Sequence, residues 1–260
     1  MFDPIVQLKK RLADGQVLIG SGIYFTDPQA SEALADSVDF LWYDMEHSST
    51  SMEVLRNHMM VARNKNKPAI VRVTAGGTAF IKPVLDAGGS GIVVPQVRSV
   101  EEVRQVVSDC RYPPQGLRGF GPLIPTNYGR TDGGVEYAER ANASIYVGVM
   151  LETADALEAI DEIVAIPGLD GVIIGPWDLS ASLGLLGQVE HPTVVGAMEK
   201  IIKSARAAGL SVGSGMPVDA EFASLQVSRG VQLLQVGGDI VYAIQSADQI
   251  VAAIHAKLGT

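Results

Sequence analysis

A single cysteine, Cys110, occurs in the 260 residues. That excludes an internal disulfide framework and any multi-cysteine metal cluster, and it suits a reducing cytosol. Cys110 itself is expected to be a half-buried structural thiol. Positive charge is in deficit: 20 Lys and Arg against 29 Asp and Glu leave a formal net charge of -9. Without clustered cations a nucleic-acid partner is not expected. No apolar run approaches the length that spans a bilayer, and Met1-Phe2-Asp3-Pro4 lacks the basic and then apolar segments of a secretion signal. The expectation is a soluble, cytoplasmic protein with no membrane partner. A P-loop and a Gly-x-Ser-x-Gly elbow with triad partners are also missing. No glycine-rich fingerprint opens a helix after the first strand, which weighs against a doubly wound open sheet.

Hydrophobic residues make up 47% and charged residues 19% of the chain, enough apolar side chain to cover a sheet on both faces. Eight short β-rich runs recur, at 17–23, 39–43, 68–73, 91–95, 145–151, 171–174, 210–214 and 232–236. Several, such as Phe40-Leu41-Trp42-Tyr43 and Gly171-Val172-Ile173-Ile174, are apolar throughout rather than alternating. This pattern marks parallel strands buried on both faces. Amphipathic stretches lie between them. The one that begins at Ser99 carries Glu102 three residues on, a capping-box spacing. The reading is an α/β fold, a (β/α)8 TIM barrel formed as one domain over residues 1–260. The longest irregular stretch runs from Arg111 to about Gly134, and a loop of that length in a compact domain is usually functional.

Barrel chemistry sits at the carboxyl ends of the strands. The polar residues there are Asp44, Glu46 and His47 after the second strand, Arg72 near the end of the third, Gln96 after the fourth, Glu152 after the fifth and Asp178 after the sixth. Glu152 and Asp178 lie on what should be adjacent strands, since residues 154–167 have the length of one crossover helix. Two carboxylates with open positions suit a hard divalent cation such as Mg²⁺ or Mn²⁺. The competing reading is that each carboxylate caps a helix. His47 is placed as an acid–base or as a hydrogen-bonded loop histidine. Arg72, on a buried strand, must face a carboxylate, phosphate or oxyanion, or else form a structural pair with Asp44 or Glu46. Asp86, near a helix end, reads as a surface residue. No lysine falls on a strand, so an imine mechanism is not expected.

Taken in order, Tyr43-Asp44-Met45-Glu46-His47, Val71-Arg72-Val73, Leu85-Asp86-Ala87-Gly88, Pro95-Gln96-Val97, the run from Arg111 through Gly119, Leu151-Glu152-Thr153 and Ile174 through Ser180 resemble the 4-hydroxy-2-oxoheptanedioate aldolase family. These are metal-dependent pyruvate aldolases, a class that includes the 2-keto-3-deoxy sugar acid aldolases. The resemblance implies a lyase that reversibly cleaves a 4-hydroxy-2-oxo acid to pyruvate and an aldehyde with Mg²⁺, Mn²⁺ or Co²⁺. It implies that Glu152 and Asp178 hold the metal and that Arg72 steadies the ketone oxygen. His47, oriented by Asp86, would activate a water, and Asp44 would hold metal-bound water. Gln96 would lie near the keto acid, and the backbone of Gly175, Pro176 and Trp177 would receive its carboxylate. A homo-oligomer, trimer or hexamer, is implied as well.

Two departures stand out. Relatives that cleave dicarboxylates carry an arginine where this chain reads Pro122-Leu123-Ile124-Pro125, so a charged acceptor aldehyde is not expected. Trp177 is bulky where many relatives have a small residue. Oxaloacetate decarboxylation, a thioester lyase on the same barrel, and a non-catalytic barrel that binds a keto acid are the alternatives.

Overall fold

In a computed structural model, which describes residues 2–131 and 133–259, the eight runs form β1 (Leu18–Ile23), β2 (Phe40–Asp44), β3 (Ala69–Arg72), β4 (Gly91–Val94), β5 (Tyr146–Leu151), β6 (Gly171–Ile174), β7 (Ser211–Met216) and β8 (Leu233–Gly238). Each pairs in parallel with the next, and β8 closes on β1. The (β/α)8 barrel read from the sequence is the fold. The helices are α1 (Asp3–Ala13), α2 (Gln29–Ala35), α3 (Met52–Asn64), α4 (Thr78–Asp86), α5 (Val100–Cys110), α6 (Gly134–Ser144), α7 (Ala154–Glu158), α8 (Ile160–Val164), α9 (Pro176–Ser182), α10 (Pro192–Ala207), α11 (Ala220–Arg229) and α12 (Asp239–Leu258). Among the described residues no helix is long and apolar enough to cross a membrane.

Strand alternation sorts the apolar side chains into two cores. Leu18, Phe40, Trp42, Ile70, Val93, Tyr146, Met150, Ile173 and Leu233 point inward and fill the barrel. Their neighbours along each strand, such as Leu41, Val71, Ile92, Val147 and Val172, point outward under the helices. Helix α1 closes the amino-terminal end, where Ile5, Leu8 and Leu12 join the inner core. Gly20 is needed for close approach, because a Cβ there would lie 2.3 Å from the Phe40 ring. Half of the capping box forms: Ser99 Oγ accepts from Glu102 N at 3.2 Å, while Glu102 Oε2 accepts not from the cap's own N–H but from Arg98 N, one residue earlier, at 2.7 Å.

Three expectations change. The crossover between β5 and β6 is two short helices, α7 and α8, broken at Ala159 (φ -89°, ψ 12°), and the Leu157 carbonyl just before the break accepts from Lys200 Nζ at 3.1 Å. Cys110 is fully rather than half buried, and burial pushes its thiol up to about 12, which makes it inert. The loop after α5 also runs away from the carboxyl-terminal mouth. Its Ile124, Pro125, Asn127 and Thr131 line a cavity of about 410 Å³ with Met59, Ala69 and Ser90, around the beginnings of β3 and β4.

Candidate active site

The inward positions that continue past the apolar layer carry the polar groups. In β2 the inward set is Phe40, Trp42, Asp44; in β3 it is Ile70, Arg72; in β5 it is Tyr146, Gly148, Met150 and then Glu152. Registry places Asp44 directly beside Arg72. Strand parity and pairing therefore bring Asp44, Arg72 and Glu152 to one mouth.

Arg72 is the hub. Its Nε and Nη2 donate to the two oxygens of Asp44 at 2.9 and 2.5 Å, and Nη1 reaches Glu46 at 2.9 Å. Nη1 also donates to the Met150 sulfur at 3.7 Å. A guanidinium has five N–H donors, so one hydrogen on Nη2 is left for an incoming oxygen. Asp44 is committed on both oxygens to Arg72, and its Oδ1 also accepts from Glu46 N at 3.0 Å. Of the two readings of Arg72, the structural pair is the one that forms, with Glu46 as well as Asp44: the carboxylates hold the fork and leave one donor free.

Glu152 is almost wholly buried. Its Oε1 accepts from Gln96 N at 2.8 Å, while Oε2 is buried with no hydrogen-bond partner. Gln96 serves through its backbone, held at φ 56°, a left-handed conformation that costs a side-chain-bearing residue about 1 kcal/mol or more. A Cβ on Gly175 would lie 2.1 Å from Glu152 Oε2, so the glycine leaves the space which that oxygen occupies. Burial raises the Glu152 carboxyl to about 7, and the carboxylates of Asp178 and Glu46 push the same way. Neither competing helix-cap reading holds. Thr153, not Glu152, caps α7, accepting from Ala156 N at 3.1 Å. Asp178 stands exposed in the first turn of α9 with Gly175 as the cap, and accepts no hydrogen bond from the described residues.

An orphaned, buried carboxylate oxygen facing a second free carboxylate is a donor set that fits a hard divalent cation, which would relieve the desolvation of Glu152. Among the described residues no group of three or more His, Cys, Asp or Glu is arranged to hold an ion. The protein thus offers two carboxylates at this point.

His47 lies on the loop after β2, its side chain 66% exposed, with Nε2 3.6 Å from Glu46 Oε2. Asp86 is not beside it. Helix α4 runs back to the start of β4, so its last residue lies at the opposite end of the barrel from His47. There Asp86 Oδ1 accepts from Arg118 Nη2 at 2.7 Å. Arg118 is completely buried and stacks on Tyr112, 4.5 Å from the ring centroid. Pro176 and Trp177 open α9, and the Trp177 side chain, 64% exposed, packs against Gly187. Pro122-Leu123-Ile124-Pro125 lies on the loop after α5, whose Ile124 and Pro125 sit by the beginnings of β3 and β4, so it does not border the site of its own chain. Glu46, Met150 and Gln235 belong to the mouth as well. Strand parity finds Met150 and Gln235, whereas Glu46 lies beyond the strand, where periodicity stops.

The chain has counterparts among known proteins. Residues 26–246 match the model of the HpcH/HpaI aldolase/citrate lyase family. The chain is 33% identical over 252 residues to a hydroxypyruvate/pyruvate aldolase of Roseobacter denitrificans, covering 96% of this chain and 97% of that one. It is 36% identical over 241 residues to a 4-hydroxy-2-oxovalerate aldolase of Rhodococcus jostii, covering 92% of each. The solved HpcH/HpaI aldolase of Desulfitobacterium hafniense superposes with a TM-score of 0.88 at 32% identity, covering 95% of this chain and 96% of the other. With the same barrel, a family match over most of the chain and aldolase relatives at this identity, the chain belongs to the HpcH/HpaI aldolase/citrate lyase family and is one of its enzymes.

Proposed function

We propose that this protein is a divalent-metal-dependent pyruvate aldolase that cleaves a 4-hydroxy-2-oxo acid to pyruvate and an aldehyde, and also runs in reverse. The observation that carries the reading is the unpartnered, buried Oε2 of Glu152 in a space kept open by Gly175, with Asp178 acting on it electrostatically. Glu152 and Asp178 would hold the cation, whose Lewis acidity polarises the oxygens of a 2-oxo acid when it is bound.

The remaining work falls to the chain's own groups. The free Nη2 hydrogen of Arg72 meets the ketone oxygen as it gains charge, and Asp44 and Glu46 keep the guanidinium from reorienting. The backbone at Gly175, Pro176 and Trp177, at the amino-terminal end of α9, suits the substrate carboxylate. His47 is exposed at the rim, where it can exchange a proton with the 4-hydroxyl through water. Asp86 cannot orient the His47 of its own chain. It would reach one only from a second copy, so that role is tied to the homo-oligomer, trimer or hexamer. The same holds for Pro122 through Pro125 as a determinant of the acceptor. Among the alternatives, oxaloacetate decarboxylation needs the same cation and Arg72 but no acceptor space.

The test is a panel in which pyruvate and aldehydes of differing charge and size are incubated with Mg²⁺, Mn²⁺ or Co²⁺ in turn, with products read by mass spectrometry. Aldol products that vanish with EDTA would support the reading. Oxaloacetate turnover without any aldol or retro-aldol product would refute it.

A further inference from the structure

Tyr24 has no part in the reading above, yet it stands in the ring of residues that forms the mouth. Ile23 is in register with Tyr43, so Tyr24, one residue on, is level with Asp44, which is itself paired with Arg72. Gly20, Gly22 and Tyr24 share the inward face of β1 and its continuation. The ring lies on two glycines at the tips of adjacent strands: a Cβ on Gly22 would be 2.7 Å from Tyr24 Cε2, and one on Gly238 would be 2.5 Å from it.

The backbone beneath the ring is clamped from two sides. The buried carboxylate of Asp239, at the start of α12, accepts from Tyr24 N at 3.0 and 3.1 Å and from Phe25 N at 3.0 Å. Buried His58 of α3 holds the Phe25 carbonyl at 3.1 Å. Three contacts, two to Asp239 and one to His58, thus fix a half-buried tyrosine whose own hydroxyl makes no hydrogen bond to the described residues. Burial first, and then the negative charge of Asp44, raises the phenol above its ordinary pKa of 10.0, so it remains a proton donor.

In an eight-stranded closed barrel β1 lies across from β5. Tyr24 therefore faces Glu152 and Asp178 from the far side of the mouth. On that side the inward positions near the strand tips are Gly22, Gly215, Gln235 and, past the register shift in β8, Gly238, so three of the four carry no side chain of their own. Gln235 turns its amide Nε2 to the Gly237 carbonyl. A keto acid held by Glu152, Asp178 and Arg72 would present its reacting carbon to the part of the mouth that Tyr24 borders. We propose that Tyr24 is a specificity-determining residue whose hydroxyl hydrogen-bonds an oxygen on the acceptor aldehyde, selecting hydroxylated aldehydes over alkyl ones. The proposal rests on the aldolase reading.

Tyr24→Phe keeps the ring on its two glycines and removes only the donor. The comparison is kcat/KM for pyruvate addition to glycolaldehyde and to propanal, which match in size. Deuterium uptake into pyruvate in D₂O with Mn²⁺ supplies a readout that needs no acceptor. The expected result is a loss of about three- to tenfold with glycolaldehyde, the worth of one neutral hydrogen bond, with propanal addition and deuterium uptake unchanged. An unchanged ratio between the two aldehydes, or a parallel fall in deuterium uptake, would overturn the assignment while leaving the aldolase reading intact. Neither exchange nor aldol product from the wild-type enzyme would overturn the aldolase reading and the proposal with it.

Discussion

Replacing Glu152 with glutamine isolates the energetic strain of the site. With its carboxyl raised from 4.5 to about 7, the folded protein holds a proton that the unfolded chain releases between those values. Folding stability therefore falls as pH rises through that window, the reverse of a salt-bridged carboxylate. A shift of this size amounts to roughly 3 kcal/mol at full ionisation and about 2.5 kcal/mol between pH 5 and pH 8. At roughly 2 to 4 °C per kcal/mol for a chain of this size, the wild type without metal should lose about 5 to 10 °C of melting temperature over that interval through this one group. Glu152→Gln cannot ionise, and its Oε1 can still accept from Gln96. Carboxylates that do not interact with Glu152 cancel in the difference between the two proteins, while its coupling to Asp178 and Glu46 is part of what the difference reads. The assay is thermal melting of both proteins in EDTA at pH 5 and pH 8, repeated with excess Mn²⁺. Without metal the variant should gain on the wild type as pH rises, and with Mn²⁺ at pH 8 the order should reverse, because only the wild type binds the ion. Melting differences that do not move with pH would refute the argument that the buried oxygen is an energetic liability awaiting a cation.

Three further outcomes follow from the geometry. Asp178→Ala should lose metal affinity and turnover together, measured by isothermal titration with Mn²⁺ alongside the aldol assay, whereas borohydride with pyruvate should leave no adduct on any lysine by mass spectrometry. Arg72→Lys cannot span Asp44 and Glu46 while keeping a donor free, so kcat should fall about a hundredfold or more with the fold intact by circular dichroism. Asp86→Asn strands the charge of the fully buried Arg118 and should cost about 3 kcal/mol. The readout is a melting temperature roughly 6 to 12 °C lower, and an unchanged one would contradict the pairing.

The barrel was legible because its strands are buried on both faces, and such strands read as unbroken apolar runs. Where that signal fades the reading stopped short: β7 and β8 run on to Met216 and Gly238, through glycines that do not look like strand. The gathering of Asp44, Arg72 and Glu152 at the strand exits was legible for the same reason, since position in the barrel follows from position in the strand. Tyr24 was not, because a tyrosine after an apolar run looks like core until the glycines beneath it are seen. Nor could the pairing of Asp86 with Arg118 be read, as it joins a helix end to an aperiodic loop 32 residues away. The helices' own repeat does not encode which end of the barrel such a contact occupies.

The side chains that fill the barrel, Phe40, Trp42, Ile70 and Tyr146 among them, with Ile5, Leu8 and Leu12 beneath, have a consequence for kinetics. A barrel packed solid has a single doorway, and both halves of a cleaved substrate must use it. In the proposed arrangement the pyruvate half lies deeper, against Arg72 and Glu152, and the aldehyde lies above it. The aldehyde must then leave first in cleavage and arrive last in synthesis. Product inhibition by pyruvate should accordingly be competitive with the intact substrate, while the aldehyde should give a mixed pattern. The packing that makes the barrel a solid rather than a tunnel thus sets the order of events at the mouth.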